Sequence, residues 1–338
     1  MKAWFEKKVL HFKTPAGTSR GVMRDKLSWY LCIEENGIIG QGECSIIEGL
    51  SPDFTTTEKY EQELQALCDA IGTYFNDTEL LKHSSSLLFG LEQAKLDYNN
   101  GGKRIYFDNA FAKGKLRIPI NGLIWMGSIE AMADQVGKKI SENYSCLKFK
   151  IGALDFENEL SLLAKIRTNH PDLTIRVDAN GSLPIATAQK LLKELALLGI
   201  HSIEQPIASG KWTEMATLCK NATLPIALDE ELIGITDLEE KIKLLETIQP
   251  QYIILKPSLH GGFQGCSEWI ALAEARNIGW WITSALESNL GLEAICQFVG
   301  EYETTIPQGL GTGGLYTNNI ESDLAIENGE IYYKMGKH

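Results

Sequence analysis

The sequence predicts an α/β protein, a (β/α) barrel preceded by a small α+β unit. Two patterns carry that expectation. From Ile118 onward, short β-rich runs recur at start-to-start intervals of about 22 to 29 residues, with helix-length segments between them. Before Ile118, strand-like runs come first and helical runs follow. Strands that alternate with helices imply parallel βαβ units, and eight such strands close a barrel. An open doubly wound sheet is the rival arrangement of the same units.

The α+β unit is expected over residues 1–115, joined by the C-terminal stretch 312–338, and the barrel over 116–311. Residues 2–13 and 22–35 read as strands, and Asn36-Gly37 is a hairpin signal leading into Ile38 to Glu43. Helical patterns occupy about 56–75 and 85–100, the second closing at Gly101-Gly102. The barrel strands are expected at Ile118–Trp125, Cys146–Ile151, Thr174–Ala179, Ser202–Gln205, Pro225–Asp229, Tyr252–Lys256, Trp280–Ser284 and Thr304–Ile306. Helices are expected between them, for example at Ser128–Asn143, Asp155–His170 and Pro184–Leu198. Glu330–Lys334 reads as a strand returning to the N-terminal unit.

The formal charge of the 338 residues is −12. A chain this acidic is repelled by phosphate backbones and anionic lipid surfaces, which argues against nucleic acid and membrane as partners. A small anionic substrate stays allowed, because lysines or a metal can override net charge locally. The seven cysteines are scattered without a CxxC, as expected of free thiols in a reducing cytoplasm. The N-terminal run Met1 to Lys8 lacks a signal-peptide core, and no apolar run is long enough to span a bilayer. The expectation is a cytoplasmic enzyme.

The chemistry lies at the strand ends, where a (β/α) barrel carries its active site. Successive ends read Lys148-Phe149-Lys150, Arg176-Val177-Asp178-Ala179-Asn180, Ile203-Glu204-Gln205-Pro206, Ala227-Leu228-Asp229-Glu230 and Ile254-Leu255-Lys256-Pro257. Side chains alternate along a strand, so Lys148 shares a face with Lys150, and Arg176 with Asp178. Neighbouring strands would then gather Asp178, Glu204 and Asp229, with Lys150 and Lys256 facing each other across them. Three carboxylates repel one another unless a cation compensates them, and an all-oxygen set suits Mg²⁺ or Mn²⁺. A lysine near a cation and other positive groups, here Arg176, loses proton affinity and becomes a usable base. A metal on a substrate carboxylate, with such a lysine at the α-carbon, suits α-proton abstraction. The opposite ammonium and the metal would stabilise the resulting enediolate.

The set Lys-x-Lys, Asp-Ala-Asn, Glu-Gln-Pro, Asp-Glu and Lys-Pro, in this order and spacing, resembles the enolase superfamily in its muconate-lactonising-like subgroup. Further support comes from Thr283 to Gly291 and from Gly309-Leu310-Gly311-Thr312. The resemblance implies a modified (β/α)8 TIM-type barrel with an α+β capping domain, and Asp178, Glu204 and Asp229 as metal ligands for Mg²⁺ or Mn²⁺. It implies Lys150 as the group that removes the α-proton and then protonates a departing hydroxyl in a syn elimination. Lys256 would stay protonated and stabilise the enediolate. Lys148 would contact the substrate carboxylate, Asn180 would bind substrate, and Ser284 and the Gly309 backbone would hold a succinyl tail. The loop Gly17 to Gly21 would close the site. The implied activity is a Mg²⁺-dependent dehydratase acting on a succinyl-bearing hydroxycyclohexadiene carboxylate. The alternative is a racemase or epimerase, for example of N-succinyl amino acids, since both share the enediolate step.

Two absences narrow the choice. The seventh strand carries Trp280, Trp281 and Thr283 but no histidine, unlike mandelate-racemase-like members. Glu303 to Thr312 has no Asp-x-Asp, which dipeptide epimerases of the superfamily use. Gly309 to Gly314 matches GxGxxG, yet no βαβ unit follows it, so it reads as a backbone-lined loop. His260 follows Lys256 closely enough to reach the site as a rival base but reads as a loop histidine, His201 reads as structural, and Glu58–Glu63 as a solvated helix face.

Overall fold

The computed structural model describes residues 1–18, 21–152 and 156–336. An antiparallel sheet of β1 (Lys2–Thr18), β2 (Gly21–Glu35) and β3 (Ile38–Ser45) opens the chain. Asn36 and Gly37 join β2 to β3 with φ of 54° and 79°, the left-handed pair that a two-residue hairpin requires. β1 runs past the expected end, because residues 16–18 pair with 21–23 after a register shift between His11 and Ala16. Of the loop expected to close the site, Gly17, Thr18 and Gly21 belong to the paired strands. Ser19 and Arg20 lie outside the described residues.

The helical pattern over 56–75 breaks at Ala70 into α1 (Thr57–Asp69) and α2 (Ile71–Asn76). α3 (Ser85–Asn99) lies directly on β3. A Cβ at Gly42 would sit 1.9 Å from the Gly90 carbonyl oxygen, so only glycine permits this approach. Trp29, Leu31, Ile33, Leu64, Leu87 and Leu91 fill the space between sheet and helices.

The second unit alternates strands with helices. β4 (Ile118–Pro119) and β5 (Gly122–Ile124) precede α4 (Ile129–Ser141), whose first turn is capped by Ser128. Then come β6 (Cys146–Lys150), α5 (Phe156–Asn169), β7 (Thr174–Asp178), α6 (Ile185–Leu197), β8 (Ser202–Glu204) and α7 (Trp212–Asn221). β9 (Ile226–Leu228), α8 (Leu238–Ile248), β10 (Tyr252–Leu255), α9 (Gly262–Glu274), β11 (Gly279–Ile282) and α10 (Asn289–Val299) complete the series. The strands β5 to β11 form one seven-stranded parallel sheet in chain order. The helices bury Leu163, Leu191, Leu244, Trp269 and Ile295 against it.

Two expectations for the barrel change. The run 118–125 is two short strands rather than one, because β4 pairs with the C-terminal strand and β5 with β6. The eighth position is not Thr304–Ile306. Gln308 and Gly309 close the ring instead, through parallel bridges to Ile120 and Thr283. Pro307 has no N–H to give a ladder, and the Gln308 side chain substitutes for one: its Oε1 accepts from Ile282 N at 2.7 Å, and its Nε2 donates to Ile306 O at 2.7 Å.

The C-terminal hairpin of β12 (Leu324–Glu327) and β13 (Glu330–Tyr333) pairs with β4, not with the N-terminal sheet as expected. The link to the N-terminal sheet lies earlier, where Phe12 bridges Tyr316 and Lys13 N donates to Leu315 O at 2.8 Å. All seven cysteines are free and buried. Among the described residues no helix is long and apolar enough to cross a membrane.

Candidate active site

Register brings the charged residues into rows. Lys150 pairs with Asp178, and Asp178 with Glu204, at the C-terminal ends of β6, β7 and β8. Lys148 and Arg176 pair in the row beneath. Asp229 and Lys256 each follow directly on the last residue of β9 and β10. Asp178, Glu204 and Asp229 are buried. The structure thus gathers the five expected strand ends at one mouth.

The lysines stand on the carboxylates. Lys150 Nζ donates to Asp178 Oδ2 at 2.8 Å and to Asn180 Oδ1 at 2.7 Å. Lys148 Nζ reaches Asp178 Oδ2 at 2.9 Å and Glu204 Oε2 at 2.5 Å. Lys256 Nζ pairs with Asp229 Oδ2. Lys150 and Lys256 therefore flank the carboxylate row from its two ends. Asn180 is fixed in the left-handed region with φ 44°; its N–H donates to Asp178 Oδ1 at 2.9 Å, and its Nδ2 to Glu230 Oε1 at 3.0 Å.

Burial works against the charge of Lys148, but Asp178, Glu204 and Asp229 more than offset it and raise its pKa. Lys256 is raised in the same way, chiefly by Asp229. For Asp178, burial is likewise outweighed, and the ammonium groups of Lys148 and Lys150 hold it well below the usual carboxylate range. Glu204 goes the other way: burial and the neighbouring Asp178 push it up. Arg176 was expected to act on Lys150, but its contacts lie lower in the barrel. Its Nη1 donates to Pro307 O at 2.8 Å, and its guanidinium stacks 4.0 Å from the Trp281 ring centroid.

The donor set suits a hard divalent cation. Glu204 Oε1 and Asp229 Oδ1 are buried without a hydrogen-bond partner, an uncompensated condition that an ion would relieve. Among the described residues, no group of three acidic, histidine or cysteine side chains stands in metal-holding geometry, and lysine ammonium groups stand on the other oxygens of these carboxylates.

The mouth opens into a cavity of about 1050 Å³ lined from both units. Lys148, Lys150, Asn180, Lys256, Ser284, Gly309 and Thr312 line its barrel side; Phe12, Met23, Lys26 and Ile46 line the other. Ser284 and Gly309 thus face it, but with their donors engaged. The Ser284 hydroxyl donates to Glu287 Oε2 at 2.7 Å and accepts from Leu286 N at 3.0 Å and Thr312 Oγ1 at 2.8 Å. Gly309 N donates to Ile282 O at 2.8 Å, and its carbonyl accepts from Ser284 N at 3.0 Å.

The sequence reading missed the supports. Gln205, with φ 36°, accepts from Asp229 N at 3.1 Å and Glu231 N at 3.2 Å, tying the end of β8 to that of β9. Glu43 of β3 is fully buried beneath α10, where it accepts from Ser288 N, Ser288 Oγ and Gly291 N. Lys26 of β2 is buried as well. A polar face on a half-buried strand reads as solvent-facing, and only docking against the barrel buries it. The readings of the histidines and of the glycine run agree with the geometry. His260 Nδ1 accepts from Lys256 N at 2.8 Å, and burial lowers its pKa to about 3. His201 packs on Tyr252, and burial lowers it to about 4. Gly309 to Gly314 form a loop with no helix following.

Residues 131–336 match the family model described as Enolase C-terminal domain-like. The chain is 47% identical to an o-succinylbenzoate synthase of Desulfotalea psychrophila, over 97% of this chain and 98% of that one. The crystal structure of MenC from Desulfotalea psychrophila LSv54 superposes with a TM-score of 0.88 at 44% identity, covering 98% of this chain and 99% of that one. A muconate lactonizing enzyme from Pseudomonas fluorescens shares the fold, with a TM-score of 0.85 at 20% identity over 99% of this chain and 94% of that one. The chain belongs to the enolase superfamily.

Proposed function

We propose that the protein is a dehydratase that converts 2-succinyl-6-hydroxy-2,4-cyclohexadiene-1-carboxylate to o-succinylbenzoate, a step of menaquinone biosynthesis in the cytoplasm. The observation that carries this reading is the pair Lys150 and Lys256 flanking the row Asp178, Glu204 and Asp229. The 47% identical o-succinylbenzoate synthase supports the choice of substrate.

Asp178, Glu204 and Asp229 would hold Mg²⁺, or Mn²⁺ in its place. When bound, that ion supplies positive charge where the substrate carboxylate gains electron density. Lys150 Nζ takes the proton from the carbon bearing that carboxylate, and the C–H electron pair moves into the carboxylate to give the enediolate. Lys256 keeps its proton and stabilises the charge from the opposite side. Lys148, below Asp178 and Glu204, contacts the substrate carboxylate, and Asn180 Oδ1, accepting an N–H of Lys150 Nζ, keeps that amine in place before and after it takes the proton. The electron pair then returns to the ring as the C6–O bond breaks. Lys150 delivers its proton to the departing hydroxyl on the same face, so water leaves and the ring becomes aromatic. Ser284 and Gly309 wall the end of the cavity where the succinyl tail lies.

Mixing the protein with the hydroxydiene and Mg²⁺ and following the diene absorbance tests the reading: the absorbance should fall and o-succinylbenzoate should accumulate. The two flanking lysines also favour a second reading, 1,1-proton transfer on an N-succinyl amino acid. A Thermus thermophilus N-succinylamino acid racemase is 32% identical, over 48% of this chain and 42% of that one. Solvent deuterium uptake at the α-carbon of either enantiomer would establish that reading, and its absence with both would eliminate it.

A further inference from the structure

We infer that Lys26, on the capping sheet, is a specificity-determining residue that grips the carboxylate at the far end of the substrate. The inference rests on the function proposed above, in which the substrate carries a reacting carboxylate and a remote one.

A remote carboxylate needs N–H or O–H donors. The two groups expected to hold it are committed elsewhere. The single hydrogen of the Ser284 hydroxyl points to Glu287, and the single N–H of Gly309 closes the barrel on Ile282. Lys26 is the opposite case. It lines the same cavity as Lys150 and Ser284 and is only 4% exposed. Among the described residues, its hydrogen-bond partner is the Ser45 hydroxyl, at 2.6 Å, and no carboxylate lies within the 4 Å of an ion pair. An ammonium has three N–H donors, so two remain. A buried lysine is costly without a partner, and burial lowers the pKa of Lys26, with Glu43 and Glu287 only partly opposing it. A carboxylate entering the cavity would supply what the fold leaves out.

The position also explains how a fold shared by several chemistries selects one ligand. The reacting carboxylate is handled by barrel residues, while Lys26 comes from the other unit, on the same face of β2 as Ser28, whose partner across the sheet is Ser45. Between the two charged ends the wall is apolar, with Ile46, Leu286 and Met23 available to the methylenes of a short tail. The ligand class is a dicarboxylate whose second acid sits a few bonds from the reacting ring.

The test measures binding of o-succinylbenzoate and of its tail carboxamide by calorimetry in Mg²⁺, with wild type, Lys26→Met and Lys26→Arg. Wild type should prefer the acid over the amide by roughly tenfold to a hundredfold, the range of a charge-assisted contact. Lys26→Met should lose that preference while binding the amide within about twofold of wild type, and Lys26→Arg should keep most of it, on the same contact magnitude. Equal losses for acid and amide in Lys26→Met would mark a structural role and overturn the inference. So would a wild type without preference, or a Lys26→Met variant that keeps it. The proposed reaction fails separately, if wild type binds the acid through Lys26 yet leaves the hydroxydiene unchanged.

Discussion

Replacing Glu43 with alanine should loosen the joint between the capping sheet and the barrel. Glu43 is fully buried and accepts four hydrogen bonds. Ser28 Oγ donates at 2.5 Å from the same sheet; Ser288 N at 3.0 Å, Ser288 Oγ at 2.5 Å and Gly291 N at 2.9 Å donate from the first turn of α10. A carboxylate at a helix N-terminus satisfies orphan N–H groups and meets the positive end of the helix dipole. Truncation leaves two buried N–H groups and the Ser288 hydroxyl without an acceptor, and leaves Ser28 Oγ with only its long 3.4 Å bond to Cys44 O. Each unsatisfied group costs about 1–3 kcal/mol, and breaking a buried charged network typically costs about 3–5 kcal/mol in total. Glu43→Ala should therefore lose about 3–5 kcal/mol of stability, and Glu43→Gln less, because an amide oxygen still accepts. Urea unfolding by far-UV circular dichroism reads the difference, and limited proteolysis shows whether the joint opens first. A Glu43→Ala protein within about 1 kcal/mol of wild type would refute the reasoning, because at least one of the four donors must then have found another acceptor.

Lys150→Ala should abolish dehydration while the far-UV circular dichroism stays that of the folded wild type; substantial residual turnover would remove Lys150 from the base role. Gly309→Ala should destabilise the barrel, because a Cβ there would sit 2.2 Å from Thr283 Oγ1 at the point where the ring closes; overpacking of this kind costs about 1–3 kcal/mol, read by thermal unfolding. Glu92 of α3 accepts from Phe263 N and Gln264 N at the start of α9, and burial raises its pKa from 4.5 to about 8. The folded state then holds a proton that the unfolded chain releases, so this contribution to stability is full at low pH and falls as pH rises through 4.5 to about 8. Glu92 is partly exposed, so water screens some of that effect. Glu92→Gln keeps an acceptor oxygen but no titration, and its melting temperature should fall less than that of wild type between pH 6 and 9; parallel profiles would count against the assignment.

The barrel was legible because its strands recur at regular intervals and end in charged residues that core packing alone would never place there. Alternation put Lys148 with Lys150 and Arg176 with Asp178 on shared faces, and the register agrees. The eighth position was misread for a physical reason: Thr304-Thr305-Ile306 is β-branched, yet Pro307 prevents a ladder, and the ring closes on Gln308 and Gly309. Nor could local pattern reveal which sheet the Glu330–Tyr333 strand joins, since pairing partners are a tertiary choice. The supports of the site were hidden for the same cause. Lys26, Ser28, Glu43 and Ser45 form what looks like a wet face of a small sheet, and its burial depends on a barrel that begins some seventy residues later.

The proposed chemistry depends on a divalent cation held by Asp178, Glu204 and Asp229 and on proton transfer at Lys150. One measurement reaches both: the rate of diene loss from 2-succinyl-6-hydroxy-2,4-cyclohexadiene-1-carboxylate with Mg²⁺, after EDTA, and after Mg²⁺ is restored. Fast loss that stops with EDTA and returns with Mg²⁺ is the expected result. An unchanged diene in the presence of Mg²⁺ and folded protein, or a rate indifferent to EDTA, would contradict it.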